Sequence, residues 1–253
     1  MKINGQVVLI TGAGSGMGKA TAEYLSQQGA CLVLLDINKH VEDVAKSLDC
    51  AAFIADVTSA DDIAKVVDTI EKEYGTPRIL INCAGICPGA RTVGRDGPHD
   101  LGLFEKTLSV NLIGSFNMLR ICADRMVNAD PLNDDGERGV VINTASIAAY
   151  EGQIGQAAYA ASKGGIVSMT LPIARELSKF GIRVVTIAPG IMETPMITAM
   201  PEEVQDSLKS TTVFPKRLGQ AQEFAKLAEH IIENAMINGT TIRLDGALRL
   251  APR

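Results

Sequence analysis

The sequence predicts a doubly wound α/β fold built around one parallel sheet. Seven short apolar runs rich in β-branched residues recur along the 253 residues, and such runs are typical of strands buried on both faces. Helical patterns separate most of them, which predicts parallel strands joined by helical crossovers. We expect the strand order 3-2-1-4-5-6-7 in a single domain, 1–253. The predicted strands lie near 6–11, 31–36, 51–55, 78–82, 139–145, 182–188 and 240–244.

The first predicted strand runs into a glycine-rich turn and then into a helix over Lys19–Gln28. A second strand follows and stops at Asp36, which completes the order strand, glycine turn, helix, strand, acid of a Rossmann-type dinucleotide site. The glycines let backbone amides approach a pyrophosphate at the helix N-terminus. The predicted cofactor contacts in this turn are Gly12, Ser15, Gly16, Met17 and Gly18.

Asp36 indicates which dinucleotide the site would take. Its carboxylate can accept hydrogen bonds from both adenine-ribose hydroxyls. A 2′-phosphate would be repelled there, and Ile37 offers no positive charge to receive it. We therefore predict NAD rather than NADP. The alternative is a turn that binds nothing, with Asp36 as a helix cap or a solvated turn residue.

Two further cofactor segments are predicted after the third and fourth strands, where ligands of such sheets bind. Asp56 and Val57 could flank the adenine, although the spacing alone equally suits a helix N-cap at Asp56. The run after the fourth strand would expose main chain beside a ribose. Its residues are Asn82, Cys83, Ala84 and Gly85.

Tyr159 and Lys163 form the candidate catalytic pair. If 155–171 is helical, the two side chains share one face at i,i+4 spacing. A free tyrosine ionises near pH ~10, and an adjacent cation favours the phenolate, so Lys163 is expected to lower the pKa of Tyr159. Ser146, thirteen positions upstream of Tyr159, could hold the oxygen that gains or loses the proton. Alone, a Tyr-x-x-x-Lys string also occurs by chance.

Taken together, five ordered motifs resemble the short-chain dehydrogenase/reductase family over essentially the whole chain. They are Thr11-Gly12-x-x-x-Gly16-x-Gly18, Asn82-Cys83-Ala84-Gly85, Asn111, Ser146 with Tyr159-x-x-x-Lys163, and Pro189-Gly190. The resemblance implies that Ser146, Tyr159 and Lys163 are catalytic, and that Asn111 completes the tetrad by helping to hold a water. It also implies that Tyr159 and Lys163 contact the cofactor, Lys163 by holding its ribose. It also tips Asp56 toward adenine. Cys83 departs from the family, which commonly has Asn there.

Within the family, the runs 143–159 and 163–174 and the tail from Ile242 are similar to the type 2 3-hydroxyacyl-CoA dehydrogenases. That resemblance implies NAD-dependent interconversion of short or branched 3-hydroxyacyl-CoA and 3-oxoacyl-CoA, with Gln156 beside the substrate and a homotetramer as the assembly. Three alternatives stay open: a 3-oxoacyl-carrier-protein reductase, a hydroxysteroid or polyol dehydrogenase, and a catalytically silent scaffold.

Two loops are expected to determine the substrate specificity. In the family, the loop after the sixth strand covers the nicotinamide, which implies cofactor contacts from Pro189, Gly190, Met192 and Thr194. The methionines and prolines of about 191–215 predict a lid over an apolar acyl group, with a plain connecting helix as the alternative. In the loop from Cys87 to Leu103, Arg91 and Arg95 could meet CoA phosphates, although the sequence favours a solvated loop.

Composition narrows the function classes. A net charge of −5 argues against nucleic-acid partners, and the sequence contains no run of membrane-spanning length. The five cysteines lack a paired framework, and the three histidines are scattered, so we expect no metal site. The first strand begins almost at the start of the sequence, from which we expect a cytoplasmic protein without a targeting segment.

Overall fold

The computed structural model describes residues 1–95, 97–193 and 211–252. Its central sheet has seven parallel strands in the order β3-β2-β1-β4-β5-β6-β7. The predicted fold class and strand order are therefore confirmed. The strands are β1 Val7–Thr11, β2 Cys31–Asp36, β3 Ala51–Ile54, β4 Ile79–Asn82, β5 Gly139–Thr144, β6 Ile182–Pro189 and β7 Thr241–Leu244.

Helices cover both faces of this sheet. They are α1 Gly16–Ser26, α2 His40–Leu48, α3 Ala60–Tyr74, α4 Leu101–Leu108, α5 Gly114–Asn128, α6 Ala148–Glu151, α7 Ala157–Leu177 and α8 Ala221–Glu233. A π-helical turn, Ser109–Ile113, joins α4 to α5, and a 3₁₀ turn, Ser178–Phe180, follows α7. None of the described helices has the length and apolar character needed to cross a bilayer.

Alternate residues of each strand supply two separate cores. Val8 and Ile10 of β1 belong to the cluster that includes Phe224 of α8, whereas Val7 and Leu9 belong to the cluster with Met118 of α5. Side chains of successive strand residues point to opposite faces, so a strand covered on both sides must be apolar throughout. The uninterrupted apolar run of β1 follows from this packing.

Helix α7 is longer than the sequence predicts. It continues through Pro172 as far as Leu177. Proline removes one hydrogen bond from a helix interior. The packing of α7 against the sheet, where Ala174 and Leu177 are buried in the core, outweighs that local cost.

The 128–138 loop does more than connect α5 to β5. Glu137 is 5% exposed and accepts a hydrogen bond from Arg183 of β6. Its second oxygen accepts from the α-ammonium group of Met1 at 2.8 Å. Burial alone would raise the pKa of Glu137, but these two positive charges outweigh it and lower the pKa. Glu137 is therefore an ionised, buried crosslink at the amino ends of β5 and β6.

Candidate active site

The glycine turn after β1 is packed tightly against the loop after β4. Gly12 has φ +66°, and a Cβ there would lie 2.7 Å from the backbone nitrogen of Ala84. A Cβ on Gly18 would overlap the carbonyl oxygen of Gly12. The turn therefore requires glycine both for its backbone conformation and for the close approach of two chain segments.

The N-terminus of α1 fits a dinucleotide phosphate. Ser15, the N-cap, has an extended backbone and makes no side-chain cap, and the first turn carries no acidic residue. Unpaired N–H groups and the positive end of the helix dipole favour an anion at such a position. Gly16 and Met17, at the start of this helix, therefore present main chain to the same space.

Asp36 lies against the glycine turn, as its sequence position predicts. Its Oδ2 accepts from Gly14 N at 2.9 Å, and its Oδ1 accepts from Asn38 N at 2.9 Å. These two backbone donors fix the plane of the carboxylate at the end of β2. The group is thus held as an acceptor beside the place where the adenosine ribose of a dinucleotide would lie.

Asp56 is not the N-cap of α3. Ser59 occupies that position and accepts from Asp62 N, whereas Asp56 accepts from the backbone nitrogen and hydroxyl of Thr58 at 2.9 and 2.8 Å. The helix-cap alternative is therefore wrong.

Val57 is buried, and its carbonyl accepts from Asn117 of α5, so α5 holds this segment at the sheet edge. Adenine contact by Asp56 or Val57 stays a prediction.

The side chain of Asn82 is committed to the fold. Its amide donates to Ser115 O at 3.1 Å and to Asn143 Oδ1 at 3.0 Å. The Thr11 hydroxyl accepts from the backbone nitrogens of Cys83 and Ala84. Any contact between a cofactor and Asn82 would therefore come from its main chain.

Asn111 lies in the π-helical turn between α4 and α5 and is fully buried. It binds both main-chain groups of Ile86, accepting from Ile86 N at 2.8 Å and donating to Ile86 O at 2.9 Å. It also donates to the Ser162 hydroxyl at 3.0 Å. Single π-helical turns are frequent at functional sites. Here the turn joins the loop that contains Gly85 to the helix that carries Tyr159.

Ser146, Tyr159 and Lys163 converge at the carboxyl end of β5. Ser146 follows this strand and is hydrogen-bonded to Tyr159. The Lys163 ammonium lies 5.7 Å from the centre of the Tyr159 ring and donates to Thr144 O at 2.7 Å. The i,i+4 spacing on α7 thus brings a phenol, a hydroxyl and a cation to one point, although Lys163 is held by a strand carbonyl that sequence reasoning missed.

The charges at this point differ from the sequence expectation. Burial, reinforced by the neighbouring Cys87, raises the pKa of Tyr159 to about 12, although the hydrogen bond with Ser146 opposes the shift. Burial likewise lowers the pKa of Lys163 to about 8. The structure therefore does not show the expected lowering of the Tyr159 pKa by Lys163. At neutral pH the phenol keeps its proton, and Lys163 is mostly protonated.

The loop after β6 forms the other wall of the site. Pro189 O accepts from Ile147 N at 3.0 Å, which joins this loop to the Ser146 segment. Gly190 N donates to Leu244 O of β7 at 2.9 Å.

Met192 is expected from the sequence to contact the cofactor. Its side chain is instead buried in the hydrophobic core and packs against Gly219, so it does not face the cleft.

Part of the predicted substrate lid can be located. Met192–Glu193 forms a short parallel pair with Gly219–Gln220. Thr194 and the lid residues 194–210 lie outside the described residues.

A cavity of about 430 Å³ opens beside the start of α7. It is lined by Arg91–Val93, by 152–157 and by Ala160, which is adjacent to Tyr159. Gln156 is among the lining residues, and its side-chain oxygen accepts from Gln153 N. Arg91 and Arg95 both line a second, neighbouring cavity.

In the described parts of the chain, no group of three His, Cys, Asp or Glu side chains could hold a metal ion.

Comparison with known proteins places the chain among related sequences. The model of the short chain dehydrogenase family matches residues 6–205. The chain is 50% identical to 3-hydroxyacyl-CoA dehydrogenase type-2 of Bos taurus, with 99% of this chain and 97% of that protein covered. It is 46% identical to the protein of the same name from Drosophila melanogaster, over 99% and 100% of the two chains.

A solved structure agrees with these sequence comparisons. The crystal structure of 3-hydroxyacyl-CoA dehydrogenase type-2 from Mycobacterium avium superposes with a TM-score of 0.91 at 39% identity, covering 98% of this chain and 97% of that one.

Proposed function

Because this chain belongs to the short-chain dehydrogenase family, we propose that it interconverts 3-hydroxyacyl-CoA and 3-oxoacyl-CoA thioesters with NAD. The observation that carries this proposal is the convergence of Ser146, Tyr159 and Lys163 at the sheet edge that also bears the glycine turn and Asp36. The full-length similarity to proteins named 3-hydroxyacyl-CoA dehydrogenase type-2 supports the substrate class.

The choice of NAD rests on Asp36. Its carboxylate, fixed by Gly14 N and Asn38 N, would accept from ribose hydroxyls and repel a 2′-phosphate. The adjacent Ile37 is exposed and uncharged. The phosphates would lie on the uncapped N-terminus of α1.

In the reduction direction, the Ser146 hydroxyl donates to the 3-oxo oxygen and Tyr159 gives its proton to that oxygen. The bound nicotinamide would supply the hydride. Since the pKa of Tyr159 is raised to about 12, the phenol is already in the protonated form that reduction requires. Lys163, held by Thr144 O, provides the nearby positive charge that stabilises a phenolate once the proton has left.

Oxidation runs the same path in reverse and requires the Tyr159 phenolate. The raised pKa makes that form scarce near neutrality, so oxidation gains from alkaline pH or from a positive charge brought by the cofactor. Three further roles stay proposals: Asn111 near a water, Gln156 near the substrate, and the main chain at 82–85 and 189–190 near the cofactor.

A homotetramer is proposed as the assembly. Ile113 and Phe116 are exposed large apolar residues where the π-helical turn meets α5, and Leu171 of α7 is exposed as well, which suits burial between subunits. Light scattering on the purified protein would test this. The single-domain organisation, the lid at about 191–215 and a cytoplasmic location stay predictions from the sequence.

The proposed function is tested by comparing NADH and NADPH as reductants of acetoacetyl-CoA and its 2-methyl analogue. We expect turnover of both thioesters with a preference for NADH of about tenfold or more. Such a preference corresponds to ~1.4 kcal/mol or more of repulsion between Asp36 and the 2′-phosphate of NADPH. Preference for NADPH would favour the carrier-protein reductase alternative. Turnover of steroids or polyols but not of acyl-CoA would favour those dehydrogenases, and no turnover of any carbonyl would favour a silent scaffold.

A further inference from the structure

The C-terminal tail lies across the loop that leads into the catalytic helix. Pro252 O accepts from Ile154 N at 3.0 Å, and Ala251 O accepts from the Gln153 side chain at 3.1 Å. One residue earlier, Leu250 N donates to a Glu151 oxygen at 3.4 Å. The tail thus adds main-chain partners to the 151–156 segment, which has no regular structure of its own beyond the end of α6.

Two arginines and two carboxylates form ion pairs that hold this contact together. Arg243 binds Glu151 through two hydrogen bonds of 2.9 and 3.1 Å, and it binds Asp245 at 2.6 Å. Arg249 completes the set with contacts of 3.3 Å to Glu151 and 3.2 Å to Asp245. The hydrogen bonds from Arg243 are the main reason why the pKa of Glu151 is lowered. Paired guanidinium–carboxylate bonds of this kind fix orientation as well as distance.

This ionic cluster (Glu151, Arg243, Asp245 and Arg249) connects the two walls of the active site. On one side, Glu151 directly precedes the segment that lines the 430 Å³ cavity, together with Ala157 and Ala160 of α7. On the other side, Asp245 packs against the loop after β6, where a Cβ at Gly190 would lie 2.9 Å from Asp245 Cα. The cluster therefore sets the distance between the expected cofactor loop and the expected substrate loop.

We propose that Glu151 and Arg243 are positioning residues, which latch the C-terminal tail onto 151–156 and so fix the wall of the acyl-substrate cavity. This inference rests on the proposed function, since it assigns that cavity to the acyl substrate. The latch acts on substrate binding through the loop, and neither side chain touches the reacting atoms. Misplacement of a binding wall by about 1 Å is enough to cost up to about 10²-fold in activity.

The test uses Arg243→Gln, Glu151→Gln and a chain ending at Leu248. We expect each to raise the KM for acetoacetyl-CoA about tenfold, while kcat changes less than about twofold and the Kd for NADH is unchanged. Arg243→Lys should recover only part of the effect, because an ammonium cannot form the paired contacts. Arg125→Gln is the matched control: Arg125 is 28% exposed against 25% for Arg243, and it binds three carboxylates where Arg243 binds two, remote from the loop.

A second measurement does not depend on activity. Hydrogen exchange of the backbone amides in 152–156 should accelerate in Arg243→Gln and in the shortened chain, and it should be unchanged in Arg125→Gln. If the wild-type protein turns over no acyl-CoA, the proposed function fails, and the exchange result alone decides the latch. Folded variants with normal exchange and normal KM would overturn the latch, as would a Kd for NADH that rises in parallel with the KM.

Discussion

Two buried cations of this protein have opposite surroundings. Arg183, 6% exposed, pairs with Glu137 and donates to four backbone carbonyls around the end of α8. Lys163, 4% exposed, donates to one carbonyl, that of Thr144, and within the described residues it has no carboxylate partner. Removing a charge from water is costly unless partners replace the solvent. The cation with a full set of partners stabilises the fold, whereas the poorly partnered one is kept despite its cost.

That cost supports the proposed catalytic role of Lys163. Its pKa is lowered to about 8 chiefly by burial, and perturbed groups in a cleft beside a phenol are candidates for chemistry. The arginine, by contrast, lies at the opposite, amino-terminal end of the parallel strands, away from the expected ligand side. Arg183 and Lys163 are therefore similarly buried, and the number of their hydrogen-bond partners separates a structural cation from a proposed catalytic one.

The largest expected effects are on turnover. Tyr159→Phe and Lys163→Met should each lower kcat by about 10²–10⁴-fold, the usual range for loss of a general acid or its activating group. Both should still bind NADH, as measured by its fluorescence. Normal turnover by Tyr159→Phe would remove the phenol from the mechanism, and turnover by Lys163→Met would make its burial unexplained.

Stability should respond in opposite directions at the two cations. Arg183→Met leaves Glu137 and several carbonyls without partners, so we expect it to destabilise the protein by about 3–5 kcal/mol. Lys163→Met removes an unfavourable buried charge at the loss of one hydrogen bond, and it should stabilise the protein by about 1–2 kcal/mol at pH 7. Urea denaturation at fixed protein concentration measures both, and equal losses in the two variants would contradict the comparison.

The stabilisation by Lys163→Met should depend on pH. The folded-state pKa of Lys163 is lowered from 10.5 to about 8, so between these values the unfolded chain binds more protons and wild-type stability rises with pH. The advantage of the variant is therefore largest below pH 8 and shrinks toward pH 10.5. Denaturation of both proteins at pH 7, 8, 9 and 10 gives this difference, and a constant gap would show that Lys163 is not desolvated as described.

The smallest expected effect concerns the cofactor. Asp36→Asn keeps the shape of the side chain but removes the charge that would repel a 2′-phosphate. We expect the ratio of kcat/KM for NADH over NADPH to fall by about tenfold, which corresponds to ~1.4 kcal/mol. Gln28→Asn, placed at the far end of the same crossover, is a control that should leave the ratio unchanged. An unaltered ratio in Asp36→Asn would remove the basis for predicting NAD.

Much of the scaffold could be predicted from the sequence because it follows from local patterns. Buried parallel strands require apolar runs. Gly12 and Asp36 mark the ends of two such runs, so these strand ends are recognisable in the sequence. The order of the sheet then follows from right-handed crossovers between those strands. The resemblance to a known family supplied the predicted role of Asn111.

Other features depend on contacts between distant residues, which no local pattern reveals. Lys163 is held by Thr144 O, which is nineteen positions away. Glu137 gave no signal in an acidic loop, although Arg183 lies 46 positions further on and binds it. Asn82 resembles a ligand contact in sequence, but its amide is used by Ser115 and Asn143. Such pairings are fixed by packing of the whole chain.

The most direct test of the account is the pH dependence of kcat/KM in both directions, between pH 6 and 10, with NADH and acetoacetyl-CoA and with NAD and 3-hydroxybutyryl-CoA. Since burial raises the pKa of Tyr159 to about 12, we predict reduction that stays steady over this range and oxidation that rises with pH. Rates that are independent of pH in both directions, or oxidation that is fastest at pH 6, would contradict proton transfer by this tyrosine.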